Sequence, residues 1–428
     1  MSDARFDYLI IGNSTAAIAA VEALRRQDPA GALAVLSCEP QAAYCAPLIT
    51  YVLAGKVAEE QINYRPADFY EKLRVTTLLG QAATAIDAAA HTVTLADGSA
   101  VGYGKLLLAC GGEPIIPPLP GVDLPGVFTF TRYADLEQVR AFLAEHEVRD
   151  AVVIGGGMIG VKTAEGLAKL ELNTTIVELL PRILAQALDE RGSTAAQHAL
   201  ETHAVQVLTN VGASGIEGET AVTGVKLATG DILPAQLVIM AIGVRPSLSL
   251  AESAGLKVNR GVLVDDRMAT SDPDIYAAGD VTEGHDVLLG AARPVAIWPS
   301  AYLQGEVAGE NMAGGEATHH GSVAMNSIQI CGLPTISVGL TDEDRADEVL
   351  SYVSKDGQNY RRIFLHEGKI IGAIFVGEID RAGIITGLIR EEVDVSDFKE
   401  KLIGRELGLL SLPKEYRRHK VSGPGIEV

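Results

Sequence analysis

The chain has 428 residues, of which 47% are apolar and 21% are charged, and its formal net charge is −20. This balance is that of a globular protein of two or three domains, and no apolar stretch approaches the roughly 18 residues that a membrane span needs. A strongly negative protein repels nucleic acid, so a DNA or RNA partner is disfavoured. An acidic electron-carrier protein would also be repelled unless a local basic patch receives it.

The cysteines and histidines argue against a metal site. Cys38, Cys45, Cys110 and Cys331 form no CxxC pair, and the nine histidines form no HExxH motif. Zinc ribbons, iron–sulfur ligation and thioredoxin-type sites therefore lack support, and no metal is expected. A reduced, cytoplasmic setting is the simplest interpretation. Cys38, Cys110 and Cys331 stand in apolar, strand-like patterns, so we expect them in the core.

The chain begins with a strand, a small-residue turn and a helix. Residues 6–11, FDYLII, are typical of a buried strand, the turn GNSTAA runs from Gly12 to Ala17, and IAAVEALRRQ continues as a helix. A second strand ends two residues before Glu39. Glycine permits a tight turn, and the helix N-terminus attracts phosphates. Ser14 and Ala17 replace the second and third glycines of the dinucleotide-binding pattern GxGxxG, and an ordinary strand-to-helix turn is the alternative.

The same unit recurs in the middle of the chain. AVVI is the strand, GGGMIG the turn, VKTAEGLAKLE the helix and TTIV the second strand, which Glu178 follows. Gly155, Gly157 and Gly160 fit the full GxGxxG pattern, and the acidic residues stand 27 and 23 residues beyond the first glycine of each unit. A carboxylate on the adenosine ribose repels a 2′-phosphate, so NADH is expected in preference to NADPH. Arg182, four residues later, could soften that preference.

Four further segments follow an order that resembles one family. Residues 106–114, LLLACGGEP, resemble a turn that links two nucleotide-binding domains, and residues 241–247, AIGVRPS, resemble the return from the second domain. Residues 271–281, SDPDIYAAGDV, resemble a second FAD motif, and residues 297–315 resemble the helix after it. With both dinucleotide units, these segments identify the chain as a member of the pyridine nucleotide–disulfide oxidoreductase class. Within it, the chain is similar to nitrite reductase flavin modules, NADH:rubredoxin and ferredoxin-type reductases, NADH oxidases and coenzyme A–disulfide reductases.

The resemblance implies an α/β fold with two Rossmann-like dinucleotide-binding domains and a C-terminal α/β interface domain. The FAD domain would span residues 1–115 and 246–315, and the NAD domain, residues 116–245, would be inserted into it. Residues 316–428 would form the interface domain, which in the family packs on the flavin and usually makes a homodimer. The chain could equally be a subunit of a redox complex.

The C-terminal part has its own strand and helix patterns. Residues 327–340, SIQICGLPTISVGL, and residues 360–377, YRRIFLHEGKIIGAIFVG, suit a sheet. Residues 378–392, EIDRAGIITGLIREE, suit a helix. The tail from Pro413 onward is polar and is expected to be loose.

The resemblance also implies FAD and NAD(H) as cofactors. Asp280 would hold the ribityl chain of FAD, and Cys110 stands where threonine is usual. The helix that begins near Trp298 would face the flavin pyrimidine, where its N-terminus would stabilise the negative charge of reduced flavin. The residues implied in cofactor binding are Gly12, Ser14, Ala17, Glu39, Pro47, Cys110, Gly111, Gly155, Gly157, Gly160, Glu178, Gly243, Gly279, Asp280 and Trp298.

Lys162 is the first candidate catalytic residue. It follows the last glycine of the second unit by two residues, where many family members have glutamate beside the flavin and nicotinamide. A positive charge there should favour reduced flavin and attract an anionic substrate. A solvated helix lysine is the alternative interpretation.

Cys45 is the second candidate catalytic residue. Its segment, YCAPLI, keeps Tyr44 and Pro47 of a Tyr-x-Arg-Pro-Leu-Leu pattern that runs beside the flavin in nitrite and rubredoxin reductases, with Ala46 in place of arginine. Single-cysteine relatives place a redox thiol in the same neighbourhood, although their gap is longer than the six residues from Glu39 to Cys45. No lysine or arginine adjoins Cys45 to activate it. Small apolar packing beside the flavin is the alternative.

Three hypotheses about function follow, and the site must decide between them. The leading one is an FAD-dependent NADH oxidoreductase that exchanges electrons, in either direction, with a rubredoxin- or ferredoxin-like protein or a small-molecule acceptor. The alternative is an NADH-dependent disulfide or persulfide reductase, or an NADH oxidase, that uses Cys45. The third is a nucleotide-responsive binding subunit whose flavin is structural.

Overall fold

A computed structural model describes residues 4–404, 407–408 and 412–413. The expected loose tail beyond Pro413 lies outside the described residues. No helix within these ranges is long and apolar enough to cross a membrane.

The N-terminal part of the chain builds a mixed sheet. Its elements are β1 Ala4–Ile11, α1 Thr15–Gln27, β2 Leu33–Ser37, α2 Ile49–Leu53, α3 Phe69–Lys72, β3 Val75–Leu79, β4 Ala83–Asp87, β5 Thr92–Leu95, β6 Ala100–Leu108 and β7 Gly112–Pro114. The strand order is β3-β2-β1-β6-β5-β4, and β1 is parallel to both β2 and β6. Two short 3-10 turns cover Ala46–Leu48 and Glu59–Ile62.

The central part builds a second sheet, in which every strand is parallel to its neighbours. Its elements are β8 Val127–Thr129, α4 Tyr133–Glu145, β9 Asp150–Ile154, α5 Met158–Lys169, β10 Asn173–Val177, α6 Glu190–Glu201, β11 Val205–Leu208, β12 Ala213–Glu217, β13 Gly224–Leu227, β14 Ile232–Pro234, β15 Leu237–Met240 and β16 Val244–Pro246. The order is β11-β10-β9-β15-β8. Strands β12, β13 and β14 form a small antiparallel sheet.

The chain then returns to the first sheet. The next elements are α7 Ser249–Ser253, β17 Val262–Leu263, β18 Ile275–Ala277, β19 Thr282–Asp286, β20 Ala291–Arg293 and α8 Trp298–Met312. Strand β18 pairs in parallel with β6, so the central sheet is inserted between strands of the N-terminal one. The two crossings lie side by side, because β7 and β16 pair as an antiparallel ribbon.

The C-terminal part is an antiparallel sheet with one helix against it. Its elements are β21 Met325–Ile330, β22 Leu333–Gly339, β23 Glu348–Val353, β24 Tyr360–His366, β25 Lys369–Val376 and α9 Ala382–Arg390, with 3-10 turns at Glu343–Arg345 and Lys399–Lys401. The order is β21-β22-β25-β24-β23. Helix α9 packs its apolar side, including Ile385 and Leu388, into the core of this sheet.

The observed elements confirm the expected α/β class and most of the predicted strands and helices. One expectation about the cysteines was wrong: Cys38 is exposed, because β2 ends at Ser37 and Cys38 is the first residue outside the sheet. Cys110 and Cys331 are half-buried.

Helices α1 and α8 pack unusually closely, and glycine makes this possible. A Cβ atom added at Gly305 would lie 2.1 Å from the carbonyl oxygen of Ala16, and one added at Gly309 would lie 2.4 Å from that of Ala20. Real Cβ atoms do not approach a backbone oxygen so closely, so both positions require glycine. The contact places the middle of α8 beside the first turns of α1.

Candidate active site

The first glycine of each strand-to-helix turn lies against the end of a neighbouring strand. Gly12 has φ +118°, and an added Cβ would lie 2.1 Å from the carbonyl oxygen of Ala109. Gly155 has φ +112°, and its Cβ would lie 2.4 Å from the carbonyl oxygen of Ala241. No other residue type fits either conformation and either gap. The two turns are therefore built in the same way in the two sheets.

The third position of the pattern differs between the turns. A Cβ at Gly160 would lie 1.9 Å from the carbonyl oxygen of Gly155, so α5 can pack onto its turn only with glycine there. Ala17 occupies the corresponding position of α1 and is fully buried, so the first turn accommodates a methyl group. The departure of the first unit from GxGxxG is thus compatible with its turn.

Three helices begin without a side-chain cap. The N-cap residues of α1, α5 and α8 are Ser14, Gly157 and Ile297, and none provides a side-chain hydrogen bond to its helix. By contrast, Asp189 caps α6 by accepting a hydrogen bond from the Gly192 N–H. The free N–H groups of an uncapped helix, with its dipole, form a site for phosphate or another negative charge. A Cβ at Gly157 would meet no atom within 4 Å, so the second turn faces open space.

The N-terminal sheet carries buried polar atoms that lack a partner. Thr15 Oγ1 and Gln41 Oε1 are buried without a hydrogen bond among the described residues. Asp280 likewise has no side-chain partner there, and burial raises the pKa of its carboxyl group. Next to it, the Gly279 N–H donates to Gln304 Oε1 at 2.8 Å, which fixes the turn. The hydroxyl and phosphate groups of FAD would satisfy these atoms, so the residues present fit that cofactor.

Glu39 is held by a tyrosine rather than left free. Tyr44 donates its hydroxyl to both carboxylate oxygens of Glu39 at 3.1 Å and accepts a hydrogen bond from the Tyr133 N–H at 2.9 Å. Burial and the charge of Glu39 raise the pKa of Tyr44, and Arg132 partly offsets them. The expected ribose-binding acid is thereby linked to the start of α4. Arg132 was not singled out from the sequence, although its charge partly offsets the rise in the pKa of Tyr44. Its guanidinium forms no ion pair within the described part of the chain. Its position one residue before α4 was the only feature of the sequence that could have drawn notice to it.

Three of the expected cofactor residues flank the ribbon of β7 and β16, which links the two sheets. Gly111 has φ +68°, and its carbonyl oxygen accepts a hydrogen bond from the Ser247 N–H at 3.0 Å. The Cys110 thiol donates weakly to the Ser247 carbonyl oxygen, and burial raises the pKa of Cys110 to about 11. Gly243, with φ +128°, accepts from the Ile115 N–H at 2.9 Å. These residues thus join the two crossings of the chain.

One cavity of about 2550 Å³ unites several of the predicted residues. Gly155, Gly157, Glu178, Gly243 and Asp280 all line it, and it is larger than the roughly 300–1,000 Å³ of most ligand sites. Residues of α6 and of the C-terminal sheet form the opposite wall. The cavity therefore connects the second turn with the expected flavin-side acid. The other predicted residues lie outside its lining: Gly12, Ser14, Ala17, Glu39, Cys45, Pro47, Cys110, Gly111, Gly160, Lys162, Gly279 and Trp298.

Pro47 and Trp298, both expected beside the flavin, lie at or near the start of helical segments. Pro47 lies in the 3-10 turn that leads into α2. Trp298 is the first residue of α8, and its ring packs edge-to-face against Tyr64 with 5.0 Å between centroids. This contact fixes the direction from which α8 presents its uncapped N-terminus.

Glu178 sits at the second turn and closes it. Its Oε2 accepts a hydrogen bond from the Gly156 N–H at 2.6 Å, and its Oε1 accepts one from the Leu180 N–H at 2.7 Å. Arg182 lines the same cavity and has no ion pair within the described ranges. A ribose bound at this turn would therefore lie beside the Glu178 carboxylate, with the Arg182 guanidinium at the edge of the cavity.

Exchange of this carboxylate should change the preferred coenzyme. We expect Glu178→Gln to raise the ratio of kcat/KM for NADPH to that for NADH by about tenfold or more, because a like-charge contact with the 2′-phosphate costs several kcal/mol. Steady-state kinetics with both coenzymes measures the ratio. The control is Arg182→Gln, which should lower it. An unchanged ratio in Glu178→Gln would show that the ribose lies elsewhere.

Lys162 is neither solvated nor part of the large cavity. Its side chain is only 12% exposed, and its Nζ donates to Glu165 Oε2 at 2.6 Å and to the Gln329 carbonyl oxygen at 2.9 Å. The ammonium also lies 4.4 Å from the centroid of the Tyr51 ring. The solvated alternative is therefore wrong, and a direct effect on the flavin stays a prediction.

Cys45 is half-buried at the start of the Ala46–Leu48 turn. Its N–H donates to the Ile62 carbonyl oxygen and its carbonyl oxygen accepts from the Leu48 N–H. Burial raises the pKa of the thiol, and within the described residues no cation contacts it. A thiol in this setting is protonated at neutral pH and is a weak nucleophile.

Residues 6–305 match the family described as pyridine nucleotide-disulphide oxidoreductase. The chain belongs to this family. Residues 325–393 match the rubredoxin NAD+ reductase C-terminal domain. The protein is therefore an NAD(P)H-dependent flavin oxidoreductase, and the reactive groups come from its cofactors, whereas the chain binds and orients them.

Named relatives agree with this assignment. The chain is 32% identical over 405 residues to the epsilon subunit of NADH-dependent phenylglyoxylate dehydrogenase of Aromatoleum evansii, covering 94% of this chain and 96% of that subunit. It is 28% identical to an NAD(P)H nitrite reductase of Bacillus subtilis, but spans only 48% of that protein. A solved NAD-dependent persulfide reductase from A. fulgidus superposes with a TM-score of 0.85 at 27% identity, over 92% of this chain and 78% of that one.

Proposed function

We propose that the protein passes electrons between NAD(H) and a separate redox protein through FAD, without a redox-active cysteine. The observation that carries this proposal is the combination of two nucleotide-binding turns with no activated thiol. The large cavity holds the NAD-side turn and Asp280, whereas the pKa of Cys45 is raised by burial. FAD supplies the conversion between hydride transfer and single-electron transfer when it is bound.

The chain's own residues would bind and orient the two nucleotides. The N-terminus of α5 would hold the pyrophosphate of NAD(H), and Glu178 would accept hydrogen bonds from its ribose, which favours NADH. Asp280 and the N-terminus of α1 would hold FAD. The N-terminus of α8 would stabilise negative charge on the reduced cofactor.

The comparisons support a protein partner. The C-terminal match carries the name of a rubredoxin reductase domain, and the relative that aligns over nearly its whole length is one subunit of a larger enzyme. A small redox protein or a companion subunit is accordingly the proposed electron acceptor or donor.

Two arginines of the cavity lining have no acidic partner among the described residues. Arg182 and Arg191 both line it, and neither forms an ion pair with an acidic side chain in the described part of the chain. An acidic carrier repelled by the overall charge of −20 would meet these two cations at the cavity.

An anaerobic titration tests the proposal. We expect about one NADH per FAD to complete reduction, and we expect Cys45→Ser to leave both the stoichiometry and the rate unchanged. Reduced protein should then pass its electrons to a purified rubredoxin or plant-type ferredoxin.

The same titration can favour the alternative function. The structural likeness to a persulfide reductase supports a thiol-based reaction at Cys45. Uptake of two further electrons beyond the flavin, lost in Cys45→Ser, would establish that reaction and exclude the proposed one.

A further inference from the structure

A buried carboxylate lies where three parts of the fold meet. Glu165 stands on α5 and its side chain is 6% exposed. Its Oε1 accepts a hydrogen bond from Lys56 Nζ at 2.7 Å, and its Oε2 accepts one from Lys162 Nζ at 2.6 Å. The Cys331 N–H donates to Oε2 at 3.3 Å. We call the side chains of Lys56, Lys162 and Glu165 the α5 clasp.

The clasp joins two regions of the chain and contacts a third. Lys56 follows α2, on the flavin side of the N-terminal sheet, whereas Lys162 and Glu165 belong to α5 of the central sheet. Lys162 also donates to the carbonyl oxygen of Gln329 on β21, and the Cys331 N–H belongs to the hairpin that follows. The clasp thus joins all three sheets at one point.

The charges keep the clasp closed at neutral pH. Burial alone would raise the pKa of Glu165, but the hydrogen bonds from Lys162 and Lys56 outweigh it and hold the pKa below its usual value. A buried carboxylate is costly unless it is paired and hydrogen-bonded. Loss of either lysine therefore weakens a contact for which the surroundings provide no substitute within the described residues.

The clasp lies between the two nucleotide-binding regions. Helix α5 begins directly after Gly157 of the NAD-side turn, and α2 begins directly after the turn that contains Pro47. The two helices touch at this level, since a Cβ at Gly166 would lie 3.3 Å from the Thr50 carbonyl oxygen. The distance between the NAD-side turn and the flavin-side segment is therefore set by how α5 rests on α2.

We propose that the α5 clasp positions the NAD-binding turn against the flavin-side segment, and that Lys56, Lys162 and Glu165 act as positioning residues for hydride transfer. This inference rests on the proposed function. Hydride transfer requires close, aligned contact between donor and acceptor, so a small displacement of α5 would slow the reaction while leaving each nucleotide site intact.

Two lysine variants and one matched control test the positioning role. Lys162→Gln and Lys56→Gln remove one partner each, and Lys169→Gln removes the same charge from an exposed position at the end of α5. Anaerobic stopped-flow reduction by NADH gives the limiting rate constant, calorimetry gives the dissociation constant of NAD+, and melting gives the stability. Lys162→Arg, which keeps the charge, should retain most of the rate.

We expect Lys162→Gln to lower the limiting rate constant about tenfold or more, with little change in NAD+ affinity. Lys56→Gln should act in the same direction, and Lys169→Gln should behave as wild type. If both clasp variants melt earlier but reduce at the wild-type limiting rate, the clasp only stabilises the fold and the proposal is wrong.

A direct action of Lys162 on the flavin would also overturn the proposal. In that case Lys162→Gln would shift the flavin potential and slow reduction, whereas Lys56→Gln would do neither. If wild-type protein with FAD bound is not reduced by NADH at all, the proposed function itself fails, which is distinguishable from failure of the clasp alone.

Discussion

Gly160→Ala is expected to lower the rate of reduction by NADH about 100-fold or more while FAD stays bound. The added methyl group would lie 1.9 Å from the carbonyl oxygen of Gly155, so the turn and α5 must move apart. A displacement on the order of 1 Å at a reacting pair can cost 10²-fold in rate. Anaerobic stopped-flow spectroscopy with NADH measures the loss, and the flavin absorbance confirms that FAD is retained.

Gly157→Ala is the matched control for this prediction. Its methyl group would meet no protein atom within 4 Å, so the thermal stability of the apoprotein should be unchanged. Because that methyl group points into the space that the pyrophosphate would occupy, NADH affinity should still fall. If FAD in the Gly160→Ala variant is reduced by NADH at the wild-type rate, close packing of α5 on its turn is not needed to position the coenzyme.

Asp280→Ala is expected to weaken FAD binding by about 10- to 150-fold. A hydrogen bond to a charged group contributes about 1.5–3 kcal/mol, and 1.4 kcal/mol corresponds to a factor of ten in affinity. The Asp280 carboxylate, beside the Gly279 turn, has no hydrogen-bond partner among the described residues, so a hydroxyl group of FAD would be its hydrogen-bond donor. Titration of apoprotein with FAD, followed by quenching of flavin fluorescence, measures the affinity.

The affinity for FAD should also depend on pH through the same group. Burial raises the pKa of Asp280 in the apoprotein, and hydroxyl donors from FAD favour the charged form and lower that pKa again. Binding should therefore release a proton and weaken as pH falls through the raised pKa. The apoprotein has the opposite trend in stability, which decreases as pH rises through that pKa. In Asp280→Asn the pH dependence of binding should be flat; a persistent dependence would assign it to another group.

The two dinucleotide-binding units could be predicted from the sequence because the residues that define each turn lie close together in the chain. A strand end, a glycine with positive φ and a helix start stand within a few residues of one another, and the structure shows them at Gly12 and Gly155. The helix beginning at Trp298 was implied by the family resemblance, whereas the C-terminal strands were predicted from a pattern within one segment.

Contacts between distant segments could not be predicted in the same way. The hydrogen bond from the Tyr133 N–H to Tyr44 and the pairing of Lys56 with Glu165 depend on how the separate parts of the fold meet. The sequence left two interpretations of Lys162 open, a residue beside the flavin and a solvated helix lysine, because its neighbours in space, Tyr51 and Gln329, are distant in sequence.

The pairing of strands β7 and β16 allows the central segment of the chain to be exchanged. Ile115 and Gly243 stand at the two ends of the central segment and are neighbours in space, because the Ile115 N–H donates to the Gly243 carbonyl oxygen. Beside them, Glu113 and Arg245 form an ion pair at 2.8 Å across the ribbon of β7 and β16. A segment whose two ends lie side by side can be exchanged as a unit, because its two junctions fall at one place in the fold. A chimaera whose residues 115–243 are replaced by the matching segment of another reductase should keep FAD, and therefore its yellow colour. It should show the preference between NADH and NADPH of the reductase that supplied the segment.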